Sequence, residues 1–480
     1  MKVLFAASEM APWVKTGGLG DVAGALPLAL RAQGVDVRVL LPLYPALRAA
    51  FASSEAVVRI PAVGHMPAGS LHLATTADGL PLYLLECNAL FDRPGNPYLG
   101  PDGRDLPDNA LRFGMLAHAA ALLATDASPL SWHPEVLHCH DWQTALAPAY
   151  LRYRLGLVSG HARTVLTVHN LAFQGLFGRD MLEPLGLPAD CWHLHGVEYH
   201  GYLSFLKAGL QHADALTTVS PTYAREIQTA AEGMGLDGLL RYRAADLTGI
   251  INGIDTVQWD PATDVHLPVH FDHKRLKHKK AATQALRREL GLATECSGPL
   301  LGVVSRLTQQ KGLDLLPPIA DRLAALPVQL AVLGSGDQAL EAAYAELGRQ
   351  YPAQFSVQIG FDEGLAHRIE AGVDLFLMPS RFEPCGLNQL YSLRYGTPPI
   401  VRATGGLADT VIDAADAARG TGFVFTNASP EALLATIERA CGLWRNSPQF
   451  HVLQQRGMRA DYSWRQPAQA IAAIYQRLLH

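Results

Sequence analysis

Charge is scarce in this sequence. Lys, Arg, Asp and Glu make 17% of its 480 residues, against roughly 25% in an average soluble protein, while apolar residues make 49%. Basic and acidic side chains nearly balance, 39 against 44, for a net charge of −5. That balance gives no basis for a nucleic-acid surface, and no basic run pairs with aromatic residues. The six cysteines (Cys87, Cys139, Cys191, Cys296, Cys385, Cys441) form no CxxC pair, so neither a zinc ribbon nor a disulfide framework is indicated. Long apolar runs are missing too. None approaches the roughly 18 residues of a membrane span, and Val3–Ala7 falls short of the roughly 7–15 of a secretory signal. The expectation is a reduced, cytoplasmic protein with no membrane or nucleic-acid partner. Two further absences bear on chemistry: there is no GxxxxGK[ST] phosphate loop, and no Asp-x-Asp to hold a metal on a diphosphate.

Short apolar runs of strand length are plentiful, with helical patterns between them. In the first half they are Val3–Ala7, Val35–Leu41, Leu82–Cys87, Val136–Cys139, Thr164–Val168 and Ala215–Val219. In the second half they are Leu300–Ser305, Gln329–Leu333, Phe355–Ile359, Leu375–Met378, Pro399–Val401 and Phe423–Phe425. Near-continuous apolar strands alternating with helices belong to parallel sheets covered on both faces. Two such series predict two doubly wound α/β domains in succession. The join falls in the polar stretch from Asn252 to Lys280, whose basic run His273–Lys280 reads as the solvated start of a helix over Ala281–Leu290. Trp464–Leu479 is a final helix with no strand after it.

Two stretches fit the dinucleotide fingerprint GxGxxG/A. Gly18-Leu-Gly20-Asp21-Val-Ala23 is separated from its strand by Ser8 to Gly17, and no carboxylate ends the next strand, so it makes a poor nicotinamide site. Gly334-Ser-Gly336-Asp-Gln-Ala339 directly joins a strand to a helix and reads either as a tight turn or as a dehydrogenase fingerprint. Lys15-Thr16-Gly17-Gly18 sets a cation beside backbone N–H groups that suit phosphate, although an exposed lysine on an ordinary glycine loop fits those residues as well.

Strand Leu300–Ser305 runs into Arg306-Leu-Thr-Gln-Gln-Lys311-Gly312. Two cations past the carboxyl end of a parallel strand stand where open α/β sheets bind ligands, and they suit a departing diphosphate. Pro379–Leu387 leads into a helix near Asn388, where Glu383 is expected to be held by N–H groups and to reach sugar hydroxyls. Thr404-Gly405-Gly406 repeats the arrangement. Together these loops predict a nucleotide-diphosphate site in the second half. His138 with His140, and His193 with His195, have ligand-like spacing, but no third metal ligand converges. Cys385, just before a helix, reads as packing against its loop in preference to a nucleophile.

Lys15-Thr16-Gly17-Gly18-Leu19, His140-Asp141-Trp142, Thr167-Val168-His169-Asn170, Val219-Ser220-Pro221-Thr222-Tyr223, Asn252-Gly253-Ile254-Asp255, Ser305-Arg306-Leu307-Thr308 with Gln310-Lys311-Gly312, Arg381–Leu387 and Thr404-Gly405-Gly406-Leu407 stand in this order. Over Met1 to about Leu478 the chain resembles bacterial glycogen synthases and plant starch synthases. The resemblance implies the GT-B architecture, two Rossmann-like domains facing across a deep cleft: residues 1–250 on the glucan acceptor side, 251–460 on the nucleotide-sugar side, and a helix within 461–480 crossing back to the first domain. It implies a retaining glucosyltransferase moving glucose from ADP-glucose to the non-reducing end of an α-1,4-glucan. With no Asp-x-Asp, Arg306 and Lys311 are expected to replace a metal by fixed charge, and no cofactor is expected.

By the same resemblance His169, Asp141, Arg306, Lys311 and Glu383 are catalytic. Lys15, Gly17, Gly18, Asp21, Asn252, Phe361, Cys385, Gly386, Leu387, Thr404 and Gly405 bind the donor. Two departures stand out: Tyr391 occupies the place of the second glutamate found in broader retaining relatives, and Phe361 replaces a tyrosine expected against adenine. A UDP-glucose transferase, a non-catalytic glucan- or nucleotide-binding protein and a dehydrogenase are the rival readings. Oligomeric state is not legible.

Overall fold

The computed structural model describes residues 1–100, 102–156 and 160–480, which form two compact units. Unit 1 is Met1–Gly253 with Trp464–His480, and unit 2 is Ile254–Ser463.

Unit 1 contains strands β1 (Lys2–Ala6), β2 (Asp36–Pro42), β3 (Glu55–Ile60), β4 (Gly69–Thr75), β5 (Pro81–Glu86), β6 (Val136–His140), β7 (Arg163–Val168), β8 (Leu176–Phe177), β9 (Glu198–Tyr199), β10 (Tyr202–Ser204), β11 (Ala215–Thr218) and β12 (Leu247–Gly249). Its main sheet runs β12-β11-β7-β6-β1-β2-β5-β4-β3, and β8-β10-β9 form a small sheet of their own. Each apolar run singled out in the first half forms a strand. The main sheet is not wholly parallel, however, because β3 and β4 are antiparallel additions at one edge. Neither is a buried apolar run: β3 is exposed over most of its length, and Val57 and Leu73 face solvent. A half-solvated hairpin lacks the continuous apolar signal of a parallel strand and so escaped the pattern.

Helix Gly18–Ala32 buries Leu19, Val22, Ala23, Leu26 and Leu30, a helical spacing that lays one apolar stripe on the sheet. The C-terminal helix Arg465–Leu479 packs against it and buries Ile471, Ile474 and Tyr475.

Unit 2 contains β13 (Leu300–Val304), β14 (Gln329–Gly334), β15 (Phe355–Ile359), β16 (Leu375–Met378), β17 (Pro399–Arg402) and β18 (Phe423–Phe425), all parallel in the order β15-β14-β13-β16-β17-β18. The basic run needs a correction. Lys279 opens helix Lys279–Glu289 and is buried, donating to Ala371 O at 2.6 Å and Thr397 Oγ1 at 2.7 Å. Its aliphatic stem and these two acceptors take it out of solvent, and burial pulls its ammonium down to about 7.

Strand order reverses at β1 in unit 1, between β2 and β6, and at β13 in unit 2, between β14 and β16. Chains leaving neighbouring strands in opposite directions open a crevice at the strands' carboxyl ends, which is where such sheets take ligands. Among the described residues no helix is long and apolar enough to cross a membrane.

Candidate active site

In unit 1 the residues past β6 and β7 meet because these strands are parallel neighbours with His140 opposite Thr167. Asp141 turns the chain in the left-handed region, φ 55°, and its Oδ1 accepts from the His169 N–H at 2.7 Å and the Asn170 N–H at 3.3 Å. Burial pushes the Asp141 carboxyl up to about 7 despite these donors. His140 Nδ1 lies 2.9 Å from His169 Nε2, and Phe5 stacks on the His140 ring at 3.9 Å. His138 bonds Thr167 Oγ1 and Tyr475 OH, both at 2.6 Å. Burial pulls His138 and His169 down to about 3 and His140 well below its usual range, so the rings are neutral. His193 and His195 are exposed on another loop. Among the described residues no three His, Cys, Asp or Glu side chains converge to hold a metal.

The loop after β1 is shaped by a residue the sequence reading passed over. Glu9 is buried and receives the Thr16 N–H at 2.5 Å, the Thr16 hydroxyl at 2.7 Å and the Tyr98 hydroxyl at 2.5 Å. Burial raises its carboxyl, and these donors oppose the shift. Lys15 pairs with Asp21 at 2.7 Å across the first turn of helix Gly18–Ala32, and Gly17 and Gly18 are exposed beside it. The lysine is therefore held by a carboxylate here, with open backbone next to it. Asn252 is half-buried beyond β12.

In unit 2 the reversal at β13 brings the loop after β13 against the loop after β16. Arg381 N–H donates to Gln310 O at 2.8 Å, and the Arg381 guanidinium grips Asp314, with one bond of 2.7 Å. Asn388 at the next helix donates to Val304 O at 2.7 Å. This zipper sets Lys311 Nζ 2.6 and 2.9 Å from the two oxygens of buried Glu383, whose Oε2 also accepts from Ser380 Oγ at 3.0 Å. Glu383 was expected against helix N–H groups; a cation and a hydroxyl stand against it. The helices after the loops leaving β16 and β17, Asn388–Arg394 and Gly405–Thr410, are under two turns long, so fixed charge here rests on side chains more than on helix dipoles.

Arg306 is exposed, and its guanidinium makes no hydrogen bond or ion pair among the described residues. Cys385 and Thr404 are buried, while Gly386 and Leu387 line the loop half-exposed. Gly405 has φ 44°, and a Cβ there would lie 1.9 Å from Glu383 O, so only glycine lets these two loops touch. Phe361 is 77% exposed, just past β15.

The second fingerprint proves to be a packing device. A Cβ on Gly334 would meet Ser305 O at 2.0 Å and one on Gly336 would meet Leu307 O at 2.4 Å. The Gly336 N–H is already taken by Glu341 Oε1 at 2.8 Å. These glycines admit the loop carrying Arg306, and a carboxylate occupies the place a pyrophosphate would need. Tyr391 lies in an aromatic stack, 3.7 Å from Trp259, which meets His367 on its other face at 3.8 Å. Residue 391 is thus a core position here.

Two Rossmann-like α/β domains with polar loops at their switch points are the architecture of GT-B glycosyltransferases, the class of this chain's family matches and structural neighbour. The starch synthase catalytic domain family matches residues 2–242, and the glycosyl transferases group 1 family matches residues 292–447. The glycogen synthase of Dechloromonas aromatica is 58% identical over 99% of this chain and 98% of its own length, and that of Aromatoleum aromaticum is 51% identical over 99% and 96%. The catalytic domain of starch synthase IV from Arabidopsis thaliana, bound to ADP and acarbose, superposes with a TM-score of 0.88 at 31% identity, covering 100% of this chain and 99% of that one. Sucrose-phosphate synthase from Thermosynechococcus elongatus shares the fold at 17% identity and a TM-score of 0.62. The chain belongs to the glycogen synthase family.

Proposed function

We propose that this chain moves glucose from ADP-glucose to the non-reducing end of an α-1,4-glucan with retention at the anomeric carbon, elongating glycogen in the cytoplasm. The observation that carries the reading is the pair of cations at the unit 2 switch point, Arg306 without a partner among the described residues and Lys311 held by Glu383. In the transfer, the bond from the anomeric carbon to the diphosphate breaks with its electron pair on the departing oxygen. The acceptor hydroxyl oxygen bonds to the same face of that carbon and passes its proton to the departing phosphate oxygen. Arg306 and Lys311 stabilise the charge that grows on the leaving group, as preorganised cations do best where charge develops. Glu383 aims Lys311 and offers an acceptor to sugar hydroxyls. In unit 1, His169 presents a neutral imidazole to glucose and Asp141 a carboxyl raised by burial to about 7, and Lys15, once released from Asp21, meets phosphate. Phe361 offers its face to adenine, with Cys385, Gly386, Leu387, Thr404 and Gly405 shaping the donor loop and Gly17, Gly18 and Asn252 its unit 1 counterpart. Unit 2 serves chiefly the donor, and unit 1 the acceptor together with the donor contacts named for it.

ADP as the leaving group is supported by the glycogen synthase relatives and by the ADP bound to the starch synthase neighbour. A cytoplasmic setting is supported by six free cysteines, five of them buried. The test supplies ADP-glucose or UDP-glucose with a glycogen primer, with and without chelator, and scores nucleotide and lengthened glucan. ADP release only with primer, undiminished by chelator, is expected. Preference for UDP-glucose overturns the donor, and activity lost to chelator but restored by magnesium overturns metal independence.

A further inference from the structure

We infer that His140 is a positioning residue that fixes the tautomer of His169, so that His169 presents an N–H donor at Nδ1 to an oxygen of the bound sugar. The sugar as recipient rests on the proposed glucosyl transfer; the tautomer does not.

His140 Nδ1 and His169 Nε2 face one another at 2.9 Å, so one of the two carries a proton and the other accepts it. If His169 donates from Nε2, the proton of neutral His140 must sit on its own Nε2. That atom is buried and has no partner among the described residues. The rings nearest it offer no acceptor: Phe5 covers a face of His140, and His138, 4.1 Å away between centroids, has both nitrogens engaged with Tyr475 and Thr167. The arrangement would leave a buried N–H with nothing to receive it, the rarest kind of unsatisfied group. If His140 donates from Nδ1, its Nε2 is a bare lone pair, which a packed aromatic site tolerates better. The neutral His169 ring then carries its proton on Nδ1. A second proton on His169 would place two N–H groups nose to nose, and burial already disfavours either charged ring.

The ring is also held from behind. Asp141 Oδ1 binds the His169 backbone N–H, and the β6–β7 register fixes His140 opposite Thr167. His169 Nδ1 has no partner among the described residues and, unlike His140 Nε2, is not sealed in. A ligand oxygen that accepts there finds a donor aimed and oriented beforehand.

The experiment is long-range proton–nitrogen correlation of the histidine rings in the full-length, uniformly labelled chain, with His169 assigned by the loss of its signals in His169→Asn. A proton on His169 Nδ1 and a bare Nε2 are expected in the parent; a proton on Nε2 overturns the inference. Two variants test the role. His140→Asn keeps an N–H donor in the place of Nδ1, and His140→Leu fills the space without one. His140→Asn should keep the parental tautomer and recover at least about tenfold in kcat over His140→Leu, with similar KM for glucan, since a wrong tautomer is costly to imidazole chemistry. Equal kcat in folded Asn and Leu variants means His140 only fills space and ends the positioning role. A parent with no glucosyl transfer would remove the sugar from the account while the ring spectra still decide the tautomer.

Discussion

Units 1 and 2 fill the same place of the same fold with opposite chemistry. Past β6 and β7, unit 1 gathers His140, His169 and Asp141, whose burial keeps the imidazoles neutral and lifts the carboxyl to about 7. Past β13 and β16, unit 2 gathers Arg306, Lys311, Glu383, Arg381 and Asp314, in cross-linked pairs or, for Arg306, unpaired and exposed. Uncharged donors and acceptors bind hydroxyls without demanding a counter-ion. Fixed cations act on charge that grows during reaction; Glu383 aims Lys311, whereas Arg306 has no carboxylate partner among the described residues. That difference supports the proposed roles, in which the unit 1 switch point meets sugar hydroxyls and the unit 2 cations meet the charge growing on the leaving group.

The largest test of that contrast removes charge from unit 2. Arg306→Ala and Lys311→Ala should each lower kcat by about a hundred- to a thousandfold, about 2.7–4 kcal/mol of barrier, with a smaller rise in KM. Stability should separate them. Arg306 is exposed and unpaired, so its loss should change folding by under about 0.5 kcal/mol. Losing Lys311 strands Glu383 buried without its cation, a loss of several kcal/mol by analogy with broken buried pairs, about 3–5. Lys311→Arg should rescue poorly, because a planar fork does not fit where a compact ammonium sat between two oxygens. Steady-state kinetics and thermal melts check both. A kcat within a few-fold of the parent for Arg306→Ala breaks the assignment of the leaving group.

Acid should act on unit 1 instead. A histidine whose folded pKa lies below 6.5 binds its proton more readily in the unfolded chain, so stability present above 6.5 is lost as pH falls from there toward about 3. At pH 5 His138 and His169 should each cost about 2 kcal/mol relative to neutral pH, with His140 adding in the same direction. Asp141 works against this, because a carboxyl raised to about 7 gains stability as pH falls through 7, and it offsets roughly one imidazole. In unit 2 the raised carboxyls of Glu370 and Asp374 gain in the same window. Hydrogen exchange at pH 7.5 and pH 5 should therefore show unit 1 losing more protection than unit 2. Equal losses would mean that the buried imidazoles are not neutral.

Much of this contrast is written in the sequence, though unevenly. Runs such as Leu300–Ser305 mark parallel strands because burial on both faces leaves no polar alternation, and Arg306, Lys311 and Glu383 follow those runs closely enough to be read as loop residues. The hairpin β3–β4 is invisible to that pattern because one of its faces is solvated. Glu9 lies two positions past the opening apolar run, and only the fold shows that Tyr98, far along the chain, closes over it. The pairing of Lys311 with Glu383 depends on β16 lying beside β13, a neighbour relation that strand order in the sequence does not state. The glycines of Gly334–Gly336 carried a signal with the wrong cause, since close backbone approach and phosphate binding both call for glycine.

The smallest expected effect sharpens the comparison within unit 2. Phe361 is an exposed apolar side chain, and a single one on a surface needs no explanation in itself. If it carries adenine, Phe361→Ala should leave folding within about 0.5 kcal/mol of the parent, since little packing is lost. It should cost part of the roughly 1–3 kcal/mol that base–aromatic stacking contributes, about fivefold in KM for ADP-glucose at the low end. Stacking is the same before and during transfer, so kcat should hold, opposite to the cation variants. Phe361→Tyr, which keeps the ring, should match the parent in both constants. Kinetics over a range of ADP-glucose concentration separate the two signatures. A KM unmoved in Phe361→Ala places the base elsewhere in unit 2, whereas a fall in kcat alongside it would show that the ring also sets the position of the diphosphate against Arg306 and Lys311.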